Sequence, residues 1–144
     1  MSNENDFRQR ALANRYLLVQ ALAYHSRQAG QGASATAYEL TRAAIKAGFV
    51  ADRKPVDGVT FDGWITKRNP PAWGVRAAIL LLAQLREYVP TLEQQESIAL
   101  SLAELYPDKE AAALLQDLPE HWPREGWDAV FVSACQVRKR RIVE

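Results

Sequence analysis

Apolar positions recur at helical spacing along most of the chain. Residues 7–27 are mainly Leu, Ala, Arg, Gln and Tyr, without Gly or Pro, which predicts one helix. Residues 16–24 are apolar except Gln20, so the middle of that helix is expected to be covered on several sides. Gly30 and Gly32 mark a loop at 28–34. Ser34 or Thr36 then caps a second helix through Tyr38, Leu40, Ala43, Ala44 and Ala47, with Gly48 as its stop.

Residues 49–71 are the least regular. They hold Asp57-Gly58, Asp62-Gly63, Pro55, Pro70 and Pro71. Val56 and Val59–Phe61 suit a β-hairpin around an Asp-Gly turn. Equally, Thr60 caps a short helix with Phe61, Trp64 and Ile65 on one face, and the short helix is the preferred reading. Asn69-Pro70 predicts the start of a helix that runs to about Val89 and ends at Pro90. Its polar residues Arg76, Gln84 and Glu87 form a narrow strip, while Leu80, Leu81, Leu82 and Leu85 cover the rest, so it is expected to be the central helix.

Thr91 and Gln94 have the spacing of a capping box. The helix they open, 92–105, places Leu92, Ile98, Ala99, Leu102, Leu105 and Tyr106 on one side. Glu93, Gln94, Ser97, Ser101 and Glu104 fall on the other. Asp108 and Glu110 favour another helix, ending at Leu118, and Pro119 and Pro123 bracket a connector. The last element is rich in β-branched residues, but Trp127, Val130, Phe131, Ala134 and Val137 lie at offsets 0, 3, 4, 7 and 10, a helical stripe. The expected architecture is therefore all-α: a multi-helical orthogonal bundle of six or seven helices in one domain, 1–144. Residues 49–63 are a short helix, an irregular insertion or a hairpin, and 138–144 are a basic tail.

The chain has 144 residues, 48% hydrophobic and 24% charged, which excludes wholesale disorder. A domain of this length needs neither disulfide nor metal to fold. The lone Cys135 excludes an intramolecular disulfide framework and favours a reducing, cytoplasmic setting. It reads as a small buried hydrophobe. The longest pure apolar run, 77–83, is far short of a membrane helix. The polar, acidic start does not read as a signal peptide.

Two histidines and one cysteine, without metal-ligand spacing, give no metal site. No phosphate loop or Gly-x-Ser-x-Gly elbow occurs, so no cofactor and no catalytic residue is assigned, and the expectation is a non-enzyme. His25 reads as a helix-end histidine, and His121 has no sequence-local partner. Trp64, Trp73, Trp122 and Trp127 stand near helix boundaries, where they seal the ends of a core.

The net charge is only +1, but it is unevenly spread. Residues 1–76 hold eleven Lys/Arg against six Asp/Glu, and 77–144 hold seven against eleven. Within the basic half, Arg53, Lys54, Lys67, Arg68 and Arg76 are candidates for a phosphate-binding face. The basic run 138–141 is a second candidate. If symmetric DNA sites are bound, a dimer is required, and helix 92–105 offers one seam.

Three pieces of 44–85 resemble the DNA-binding core of helix-turn-helix regulators of the phage-repressor type. Ala44-Ile-Lys-Ala-Gly48 is similar to the close of the motif's first helix. Gly58-Val59-Thr60 with Trp64 is similar to the start of its recognition helix. Lys67-Arg68-Asn69-Pro70-Pro71, followed by 77–83, is similar to the basic turn and apolar final helix. Residues 49–57 stand where that family has a tight turn. The resemblance implies that Thr60 caps the recognition helix and that Trp64 is structural. It implies that Asp62, Thr66, Lys67 and Arg68 approach the duplex. The expected function is a helical DNA-binding regulatory protein. The alternative is a helical protein–protein interaction module such as an inhibitor, antitoxin or adaptor.

Overall fold

The computed structural model describes residues 3–138. Among them are eight α-helices and no strand: α1 (Asn3–Ala13), α2 (Tyr16–Gln28), α3 (Ala33–Ala47), α4 (Gly58–Thr66), α5 (Ala72–Ala83), α6 (Leu92–Leu105), α7 (Ala111–Gln116) and α8 (Trp127–Val137). The all-α class is as expected. Packing divides the chain into two compact units, one of residues 3–14 and 89–138 and one of Arg15–Tyr88. The helix expected across 7–27 is two helices, and its break between Ala13 and Tyr16 coincides with that boundary. No Gly or Pro marks the break, so packing sets it rather than local propensity.

In the first unit α6 packs on α1 and α8, and α7 on α8. The stripe Trp127, Val130, Phe131, Ala134 and Val137 is buried throughout. Trp122 stacks on Trp127 with centroids 5.8 Å apart and planes 6° from parallel, and Trp127 continues onto Phe131 at 5.4 Å. The connector before α8 is tied by Arg124, whose guanidinium donates to the carbonyls of Leu118, Pro119 and Trp122. The capping box of Thr91 and Gln94 is formed. The α6 faces differ from expectation at three places. Leu92 and Tyr106, expected on the apolar side, are exposed, and Ser97, expected on the polar side, is buried.

In the second unit α5 is the centre, packed on α2 and α3, and α4 lies against α3 and α2. Phe61, Val75, Ala77, Ala78 and Leu82 are buried, together with Leu18, Val19 and Leu40. The helix expected from Asn69 to Val89 is shorter at both ends. Pro71 is its N-cap and Gln84 its C-cap, with a turn to Tyr88 beyond. α3 ends as expected at Gly48, whose φ of 82° only glycine adopts without cost.

Residues 49–57 are irregular and the expected short helix follows as α4 from Gly58, with no hairpin, and its cap is Asp57 and not Thr60. Asp57 Oδ1 accepts from the Thr60 amide at 2.7 Å. That bond holds the carboxyl below its ordinary range. Gly58 permits a close approach, because a Cβ there would lie 2.9 Å from Ser34 Oγ. The preceding interval is pinned by buried Thr41, which accepts from the Val56 amide and donates to the Ala37 carbonyl.

Candidate nucleic-acid interface

The six residues proposed to meet DNA all lie in the Arg15–Tyr88 unit. Arg53, Lys54, Thr66, Lys67 and Arg68 are exposed, and Arg76 is half-buried. Arg53 donates from Nε to the Lys54 carbonyl at 3.0 Å and lays its guanidinium 5.2 Å over the Trp73 ring. Trp73 meets Trp64 edge to face at 5.5 Å, and Trp64 leans on buried Phe61 at 6.2 Å. A ladder of rings thus connects a surface cation to the core. Arg76 stands three residues after Trp73 on α5, on the same side of the helix.

Lys67 and Arg68 close α4. The Arg68 amide bonds the Ile65 carbonyl and the Asn69 amide bonds the Trp64 carbonyl, the two bonds of a Schellman motif. The residue at its left-handed position is Arg68, with φ 58°. Among the described residues it is the one non-glycine with positive φ. Its guanidinium lies 4.7 Å over the Tyr16 ring of α2. The structure therefore joins Arg53 to the tryptophan pair and Arg68 to a different ring. Thr66 spends its hydroxyl proton on the Asp62 carbonyl at 2.9 Å. It retains only lone pairs, which suit a phosphate poorly. Trp64 and Trp73 are half-buried rather than sealed inside.

Ion pairing separates the two units. Arg8 pairs with Glu104, Arg10 with Glu96 and Lys109 with Asp117, all in the first unit. Among the described residues no Lys or Arg of the second unit is within ion-pair distance of a carboxylate. By sequence, 15–88 hold ten Lys/Arg against five Asp/Glu, a balance of +5. The rest of the chain holds eight against twelve, a balance of −4. The split of charge read along the chain thus follows the packing units.

Of the basic run 138–141, Arg138 donates to the Ala103 and Tyr106 carbonyls at the end of α6. The other three residues lie outside the described ones. Cys135 is half-buried, and burial pushes its thiol up. Among the described residues there is no grouping of three His, Cys, Asp or Glu that could hold a metal ion, and no helix is long and apolar enough to cross a membrane.

The ring contacts under Arg53 and Arg68 were not expected from sequence, because each joins residues distant along the chain. The spacing of α3 and α4 also differs from a helix-turn-helix. Residues 48–57 separate them, where that motif has a turn of roughly three or four residues. Comparison of the chain with protein-family models, curated proteins and solved structures finds no match.

Proposed function

We propose that the Arg15–Tyr88 unit binds duplex DNA through its phosphates, using Arg53, Lys54, Lys67 and Arg68 with Arg76 beside them. The observation that carries this reading is the +5 balance of that unit, with its cations free of carboxylate partners among the described residues. Cations already neutralised by carboxylates release few counterions on meeting DNA, whereas unpaired ones release them in full. Arg53 and Arg68 are also braced by aromatic rings, which lowers the entropy lost when each meets a phosphate.

The proposed contact differs from that of a recognition helix entering a groove by its first turn. The N-cap of α4 is Asp57, whose carboxylate repels phosphate. The cations stand instead just past the C-terminal end of α4, before α5, and at 53–54. Such contacts set position and salt dependence, not base preference. A regulatory role, which the helix-turn-helix resemblance implies, requires sequence preference in addition.

The test is binding of the full chain to mixed-sequence duplex DNA as a function of salt. The expected result is a Kd in the micromolar range at about 50 mM salt that weakens steeply with added salt. Lys54→Ala with Lys67→Ala is expected to weaken it further at unchanged helicity. No binding at about 50 mM salt overturns the proposal, because DNA-binding proteins retain a non-specific electrostatic component.

A further inference from the structure

A groove opens within the Arg15–Tyr88 unit because α2 and α3 each pack more closely on α5 than on one another. Its volume is about 500 Å³, inside the ordinary span of small-molecule sites, roughly 300–1,000 Å³. Leu22 of α2 with Leu81 and Leu85 at the end of α5 supplies an apolar lining. The α3 wall presents Glu39, Arg42 and Lys46, at intervals of three and four residues, and Glu87 faces the same space from the turn after α5. Among the described residues none of these four charged groups forms an ion pair, and the Arg42 guanidinium rests 5.8 Å over the Tyr38 ring one turn back on α3, so the groove offers two cations and two carboxylates without a charged partner. Its inner edge is stiffened by His25, held edge to face between Tyr24 at 5.3 Å and Tyr88 at 5.9 Å.

We infer that this groove binds a small zwitterion with an apolar body, that is, an ammonium and a carboxylate carried on a hydrocarbon or aromatic group. A singly charged ligand satisfies one pair of charges and leaves the other pair facing its own apolar part. A zwitterion meets Arg42 and Lys46 with its carboxylate and Glu39 and Glu87 with its ammonium, while its body covers the leucines. The inference stands apart from the DNA reading, since none of the groove's charged residues belongs to the proposed phosphate face.

The experiment uses three probes of one shape: phenylalanine, 3-phenylpropanoate and 2-phenylethylamine. Each is titrated into the ¹⁵N-labelled full chain. Phenylalanine is expected to move the amide signals of His25, Ala43 and Leu85 and to bind roughly tenfold more tightly than either singly charged probe. Lys46→Glu and Glu87→Lys change exposed residues and are each expected to remove that advantage with signal dispersion retained. No movement of these amides at about 10 mM phenylalanine, or an equal response to a singly charged probe, overturns the inference.

Discussion

Ser97 Oγ donates a 2.7 Å hydrogen bond to the backbone carbonyl of Ala11, joining α6 to α1 across 86 residues of chain. Ala11 lies in the last turn of α1, where carbonyls have no intrahelical amide to accept from. Both residues are buried, at 1% and 0% exposure, so water cannot supply the missing donor. A side chain that reads as surface-polar in sequence thereby completes the end of a distant helix.

Ser97→Ala is therefore expected to destabilise the protein by roughly 1–3 kcal/mol, since the Ala11 carbonyl is left buried and unsatisfied. Urea unfolding measures this directly. Ser101→Ala, at a half-buried position on the same helix, is the comparison and is expected to change stability by less than about 0.5 kcal/mol.

Arg68 carries two opposing effects. Its left-handed backbone costs a non-glycine residue roughly 1–2 kcal/mol, while its guanidinium on Tyr16 returns about 0.5–1 kcal/mol at an exposed site. Arg68→Gly is expected to be at least as stable as the parent. Arg68→Ala keeps the strain, loses the ring contact and is expected to be less stable by about 0.5–1 kcal/mol. Both remove the same charge, so equal loss of DNA affinity from two variants of unequal stability separates binding from folding.

The parts of this fold legible in sequence are those fixed by local chemistry. The α8 stripe was readable because five apolar residues at helical spacing outweigh the strand preference of its valines. The capping box was readable because its two side chains serve amides within one turn. The α1–α2 break was not readable, because helix-compatible residues run through it and tertiary packing alone divides them. The bracing of the basic residues was not readable: Arg68 finds Tyr16 far back in the chain, through a backbone turn that local rules assign to glycine. The charge division was readable at its full size, since cutting the chain at residue 76 or at the packing boundaries near 14 and 88 gives the same +5 and −4; the location of the ion pairs in one unit was not.

Asp57 ties acid sensitivity to α4. Its carboxylate, held below the ordinary range chiefly by the Thr60 backbone amide, contributes stability that is present above the unfolded-state pKa and lost as pH falls through the folded one. Thermal melts below about pH 4 are expected to show this loss in the parent and not in Asp57→Asn, whose amide oxygen caps the helix without titrating. Asp57→Ala is expected to melt lower than both at neutral pH.

Tyr88 gives the opposite edge. It is 3% exposed, and burial raises its pKa above the ordinary value. The unfolded chain loses this proton near pH 10 while the folded chain keeps it, so above that pH the folded state binds more protons and stability falls as pH rises. The slope is at most about 1.4 kcal/mol per pH unit. Urea midpoints at about pH 8 and pH 11 are expected to differ less for Tyr88→Phe than for the parent. An identical pH dependence in the two proteins refutes the assignment.

Lysine position, rather than lysine number, is what the DNA reading depends on. Lys67 is exposed and has no carboxylate partner among the described residues, in a unit of positive balance. Lys109 lies 2.7 Å from Asp117, which holds its ammonium above the usual pKa, in a unit of negative balance. Lys67→Ala is expected to weaken DNA binding several-fold at about 50 mM salt and to reduce the salt slope by about one. Lys109→Ala removes the same formal charge but a cation whose neighbour already screens it, and is expected to leave both quantities nearly unchanged. Fluorescence anisotropy with one labelled duplex measures the two variants side by side. Equal losses from both would mean that only the total charge of the chain matters, and the basic unit would then have no special part in binding.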